Sequence, residues 1–209
     1  MKIKFLSLFF LLVFETSLLL ALDNYPFSVG ASISGKMGIN AASVPSGLQN
    51  AISILGGVDA AVLAYMPMSD DTRTGVFLEI GYTNTPFGLK QYGTGNNQTS
   101  YLNQKWLTIS PIILMSGVAI GLEFGFNAFE DEVDKKYFMF GNMPRKPDFN
   151  VSLRVGYMYP IFTNHIGSLN FHINATYNIT GSDYGDNTYS PATMSLGLNY
   201  LFNLETDER

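Results

Sequence analysis

From Leu169 to Thr180 the chain alternates without a break. Leu169, Phe171, Ile173, Ala175, Tyr177 and Ile179 fall on one side; Asn170, His172, Asn174, Thr176, Asn178 and Thr180 fall on the other. A period of two sends successive side chains to opposite faces of an extended strand, and no helical spacing fits it. One face wholly apolar and the other wholly polar over so many residues requires a sheet with an apolar medium on one side and a polar one on the other.

Seven further segments repeat the pattern with more noise. Met194, Leu196, Leu198, Tyr200 and Phe202 oppose Ser195, Gly197 and Asn199. Val151, Leu153, Val155, Tyr157, Tyr159 and Ile161 alternate with Ser152, Arg154, Gly156 and Met158, and Val118 to Phe126 with Ala119 to Asn127. Val76, Leu78, Ile80 and Tyr82 oppose Phe77, Glu79, Gly81 and Thr83; Val58 to Met66 oppose Gly57 to Tyr65; Phe27, Val29, Ala31 and Ile33 oppose Ser28, Gly30, Ser32 and Ser34. In Tyr101–Ile113 the residues Leu107, Ile109 and Ile113 oppose Gln104, Thr108 and Ser110, and Pro111 there calls for a strand end or a bulge.

The strands are about ten residues long, the length that crosses a hydrocarbon core when tilted. The connections between them alternate in length. Long segments, at about Met37–Leu55, Thr85–Ser100, Ala128–Phe149 and Gly181–Ser190, take turns with short ones at Pro67–Thr74, Met115–Gly117 and Thr163–Gly167. The expected fold is all-β: an eight-stranded antiparallel up-and-down transmembrane β-barrel, with short periplasmic turns and long outer loops.

Composition fits that environment. Only 14% of residues are charged, well below the usual quarter, and the net charge is -5. An acidic chain does not suit nucleic acid. The absence of cysteine removes disulfides, thiolate metal sites and cysteine nucleophiles. Lys2 and Lys4 precede the apolar run Phe5–Phe14, which is too short to span a bilayer and reads as a signal peptide over residues 1–21. The barrel is then expected over 22–202, with 203–209 a short polar periplasmic tail. The expected location is the cell outer membrane, with outer-membrane lipid as the surrounding partner.

Aromatic side chains on the apolar face sort to the two ends. Phe27, Tyr159, Tyr200 and Phe202 fall toward the periplasmic rim; Tyr82, Phe124, Phe126 and Tyr177 fall toward the outer one. Girdles of this kind are expected where rings meet lipid headgroups.

The segments YLNQKWLTISPII, GVAIGLEFGF, DFNVSLRVGYMY and SLGLNYLF together resemble the outer-membrane β-barrel domain family that includes the PorT-like proteins. The last strand also resembles the signal read by the barrel-assembly machinery, here Ser195, Gly197, Tyr200 and Phe202. The resemblance implies that this machinery is a partner during insertion, and that a secretion apparatus is a candidate partner. Such proteins often end at the aromatic residue, whereas this chain continues with NLETDER.

Eight strands enclose a narrow interior filled by side chains. The charges facing it are Asp59, Glu79, Glu123 and Arg154, and Glu123 and Arg154 lie on neighbouring strands where they could pair. A structural salt bridge in a polar plug competes here with a gated ion path. Catalysis would need a placed nucleophile and base. His165 lies in a turn, and His172 has Asn170 and Asn174 beside it and no serine nearby in sequence, so no enzyme is expected. Asp70-Asp71 and Glu130-Asp131-Glu132 read as solvated acidic loops rather than a Ca²⁺ site, and Gly93-Thr94-Gly95 as flexible loop. No cofactor or metal is expected. The leading reading is a non-enzymatic barrel whose loops carry a structural or surface-interaction role. The first alternative, implied by the PorT-like resemblance, is an accessory component of a secretion apparatus; the second is a soluble lipocalin-like carrier with its apolar faces turned inward.

Overall fold

The computed structural model describes residues 27–44, 46–68, 73–91, 99–130, 132–133, 147–184 and 187–204. The expected signal segment, the end of the tail, and the acidic and glycine-rich positions Asp70, Asp71, Asp131 and Gly93–Gly95 lie outside these residues.

The strands in chain order are β1 (Ser28–Asn40), β2 (Leu48–Ala51), β3 (Ser53–Pro67), β4 (Gly75–Gln91), β5 (Thr99–Met115) and β6 (Val118–Phe126). They are followed by β7 (Glu132–Val133), β8 (Phe149–Thr163), β9 (Gly167–Asn178), β10 (Ser182–Tyr184), β11 (Asn187–Tyr189) and β12 (Pro191–Asn203). Eight of them close a ring in the order β1, β3, β4, β5, β6, β8, β9, β12 and back to β1, every pair antiparallel. Closure leaves the ring no free edge, so its backbone donors and acceptors are satisfied between strands. This is the eight-stranded up-and-down barrel that the alternation predicts.

Strand faces follow the expected register. Ile33, Val62, Ile80, Ile109, Ile120, Val155, Phe171 and Leu198, one from each ring strand, point outward with exposures from 37% to 63%. Several form two rows across the ladders, one with Ile33 opposite Leu198 and Leu198 opposite Phe171, the other with Val62 opposite Ile80 and Ile80 opposite Ile109. The polar partners Ser34, Thr83, Thr108, Ser152, His172, Asn174, Ser195 and Asn199 point inward and are buried.

One end of the barrel carries tight turns. The tightest is the two-residue hairpin Ser116–Gly117, with φ of 51° and 91°, the positive pair that matches the twist of the flanking strands. The other end is built up. β4 and β5 reach past the ring, β2 adds to the free side of β4, and β7 pairs with β5 at Leu102 and Asn103. The expected loop over Thr85–Ser100 is therefore mostly strand, because β4 runs to Gln91 and β5 starts at Thr99. Likewise β1 runs to Asn40 and β3 starts at Ser53, which shortens the expected loop between them.

Pro111 sits inside β5, at neither a strand end nor a bulge. It pairs with Leu78 on one side, while the ladder to β6 is interrupted between Ile109 and Ile112 without a change of register. A proline has no N–H to give to a ladder, and a local gap on one side accommodates that without bending the strand.

A true irregularity lies between β1 and β3. Lys36 is opposite Gly57 and Gly38 opposite Ser53, so two steps along β1 match four along β3. Beyond this bulge β1 leans inward against β4, which is not its ladder neighbour. A Cβ on Gly38 would lie 2.0 Å from the Pro86 carbonyl oxygen, so only glycine permits the approach.

Candidate functional site

The lumen is layered. At the turn end, Leu63, Tyr65, Phe77, Ile112, Leu114, Ala119, Met158 and Leu201 form a buried apolar plug, with Tyr65 and Phe77 stacked at 4.3 Å. At the loop end, Phe87, Leu89, Leu102 and Tyr189 form a second one, with Val44 and Leu48 packed on it. Phe87, Leu89 and Leu102 come from the extended β4–β5 hairpin. Tyr189 comes from β11 of the last loop and stacks on Phe87 at 5.7 Å.

Asn40 locks this upper seal. Its Oδ1 accepts the Ser190 backbone N–H at 2.9 Å, and its Nδ2 donates to the Ala42 carbonyl at 3.0 Å and to Asn50 Oδ1 at 2.9 Å. One buried amide thus ties the first and last loops together over the mouth.

Between the plugs lies a charged layer. Lys36, only 1% exposed, sets its Nζ 2.7 Å from Asp59 Oδ1 and also donates to the Thr83 hydroxyl. Thr83 and Ser34 both donate to the Asp59 carboxylate. Arg154 crosses the lumen to Glu79 through two parallel hydrogen bonds, the fork-to-carboxylate geometry in which guanidinium binds best. The expected pairing of Arg154 with Glu123 is therefore overturned. Arg154 is opposite Gly121 and Glu123 is opposite Ser152, so the two are diagonal on the wall, and the long guanidinium arm spans the narrow lumen instead. Glu123 is buried and faces the same layer.

Amides complete the interior. Asn170 donates to Asn199 at 2.9 Å, and Asn199 lies 3.4 Å from Met158 Sδ and 3.5 Å from His172 Nδ1. His172 is thus a satisfied lumen side chain. His165 is exposed in the turn after β8, and its carbonyl accepts from Asn203. Two lumen cavities border Arg154, each of about 20 Å³. That is room for about one water molecule apiece and not for a solute.

The remaining expected site residues fall as follows. Phe27, Tyr159 and Phe202 are exposed at the turn end, and Phe126 and Tyr177 toward the loop end. Tyr82 is half-buried against Phe129, Phe124 stacks with Phe149, and Tyr200 packs edge-on against Phe202. Of the last-strand residues, Ser195 faces the lumen and is buried, Gly197 sits opposite Ser34, and Tyr200 and Phe202 lie near the turn end.

Lys36 and Asn40 carry much of this interior and were not among the expected site residues. The signal was available: Ser28, Gly30, Ser32 and Ser34 continue in register to Lys36 and Asn40. Only the assumed end of the first strand hid them.

No protein-family model matches the sequence, PorT-like or other, and no curated protein matches it. Among solved structures the chain is similar to the outer membrane protein OprG from Pseudomonas aeruginosa. The identity is 10%, over 87% of this chain and 99% of that one, with a TM-score of 0.43. It is also similar to the translocator domain of the autotransporter NalP from Neisseria meningitidis, at 9% identity over 87% and 90% of the two chains, with a TM-score of 0.29. The barrel assignment rests on the closed ring of strands itself.

Proposed function

We propose that the chain is an integral outer-membrane barrel that does not conduct solutes, and that it acts through the surface built at its loop end. The observation that carries this reading is the inversion of a soluble protein's surface. Every ring strand presents an exposed aliphatic or aromatic side chain outward at mid-height and polar or charged groups inward. A contiguous apolar band of that extent is tolerated in water only when something covers it, and lipid covers it here.

The two plugs support the absence of a pore, because a solute path would have to cross both. Among the described residues, Lys36 pairs with Asp59 and Arg154 with Glu79 across the lumen, and the two cavities bordering Arg154 have room for about one water molecule each. What remains for interaction is the loop end, where the β4–β5 extension, β2 and the β10–β11 hairpin form a shaped surface rather than bare turns. A carrier of the lipocalin kind would need its apolar faces inside, opposite to this register.

Fractionation of cells expressing the protein tests the reading. The protein is expected in the outer membrane, resistant to urea extraction, with a faster gel mobility before boiling than after. Recovery as a soluble protein without a mobility shift would refute it. Planar-bilayer recording tests the sealed lumen in the same preparation: no stepwise conductance is expected.

A further inference from the structure

We propose that an outward-facing groove at the loop end of the barrel wall is a binding site for one acyl chain of an outer-leaflet lipid. This rests on the membrane reading above and adds a discrete site to it. The groove has a volume of about 480 Å³, within the range of ligand pockets. It lies across β1, β12, β9 and β8.

Its origin is the bulge between β1 and β3. Where β1 leans in against Pro86, the wall beside it caves toward the axis. The small side chains Ala175 and Ala192 lie in the dent, and Met37, Ile52, Met194 and Tyr177 stand around it. Ala192 is opposite Tyr177 and Met194 opposite Ala175, so tall and short residues alternate across two ladder rows. The same backbone step that seals the mouth inside thus opens a recess outside.

The chemistry of the recess selects hydrocarbon. Among the described residues, no charged side chain lines it. Thr176 and Thr193 border it, but their hydroxyls bond to each other and Thr193 is buried. A ligand held there offers no polar group to the protein, so it is recognised by shape and apolar contact alone. Val155 and Met194, half exposed, run directly into the apolar band, so a chain enters sideways from the lipid without crossing water.

The test is photolabelling of the folded protein in phosphatidylcholine vesicles doped with phosphatidylcholine carrying a diazirine on one acyl chain. Labelled peptides are then mapped by mass spectrometry. Labelling over Ala175–Tyr177 and Ala192–Met194 is expected to exceed, several-fold, that at Ile80 and Ile109–Ile113 on the opposite wall. Ala175→Phe is expected to bring the groove down to the level of that wall. Ala60→Phe, at another outward position, is expected to leave it unchanged. Both variants are checked for folding by their mobility shift. Equal labelling around the wall, or no effect of Ala175→Phe, overturns the site while leaving the membrane reading intact. Absence of label in the groove, together with a dimer band on the unboiled gel, overturns it in favour of a dimer contact. Absence of label on every wall overturns the membrane reading itself.

Discussion

Replacing Arg154 with methionine probes the charged layer most sharply. In the native lumen three carboxylates, Asp59, Glu79 and Glu123, face two cations, Lys36 and Arg154. Removing Arg154 strips Glu79 of both its hydrogen bonds and leaves Lys36 as the layer's remaining cation among these residues. The Arg154 and Glu79 side chains are 12% and 14% exposed, so water relieves the orphaned carboxylate only slightly. Breaking a buried pair from one side costs about 3–5 kcal/mol, and the residual exposure places this pair near about 3. That is roughly a hundredfold in the folding equilibrium. The assay is a urea titration in lipid vesicles, with the folded fraction read from the unboiled gel band. Glu79→Met on the Arg154→Met background is expected to recover most of the loss, since matched apolar replacement of a buried pair is often neutral. A single Arg154→Met variant as stable as the native protein would refute the assignment of Glu79 as its partner. So would a double variant no better than the single.

Other consequences follow from the layers and the wall. Trp106 is the single tryptophan of the chain and is fully buried; its emission is expected to be blue-shifted and insensitive to acrylamide and to brominated lipid, whereas a lipid-facing indole would be quenched by the latter. Leu198→Lys, at mid-wall, is expected to destabilise the barrel in a bilayer by about 2–4 kcal/mol, by vesicle-based urea titration. Gly38→Val is expected to abolish the heat-modifiable band or greatly weaken it, because its side chain would overlap the Pro86 carbonyl. Phe87→Ala removes a fully buried ring from the upper plug and is expected to cost about 3–5 kcal/mol, with faster proteolysis of the loops as a second readout.

Much of the architecture was legible in the sequence because alternation reports directly on a wall with different media on its two sides. The run Leu169–Thr180 fixes strand, face and register at once, and the outward and inward sets of β9 and β12 fall as that pattern predicts. The limits of strands were less legible. β4 and β5 continue through Thr85–Gln91 and Thr99–Ser100, where Pro86 and Gly88 suggest loop, because β2 and β7 pair with the extension from either side. Tertiary pairing there overrides local preference. The partner of Arg154 was illegible for a related reason. Strand adjacency says which residues are neighbours on the wall, but a long side chain in a narrow lumen reaches across it. The dent at Gly38 depends on a register shift two residues deep, which no periodic pattern records.

The central claim is that the apolar faces point out into lipid and the polar faces into a sealed lumen. The chain has no cysteine, so single cysteines can be placed along β9 without background. Five consecutive positions, Phe171 to Ala175, would each be replaced, the thiol spin-labelled in the unfolded protein, and the protein folded into vesicles for measurement of collision with oxygen, which partitions into hydrocarbon. The account predicts a strict alternation, with high oxygen accessibility at 171, 173 and 175 and low accessibility at 172 and 174. Accessibility in the opposite phase, or alike at all five positions, would contradict it.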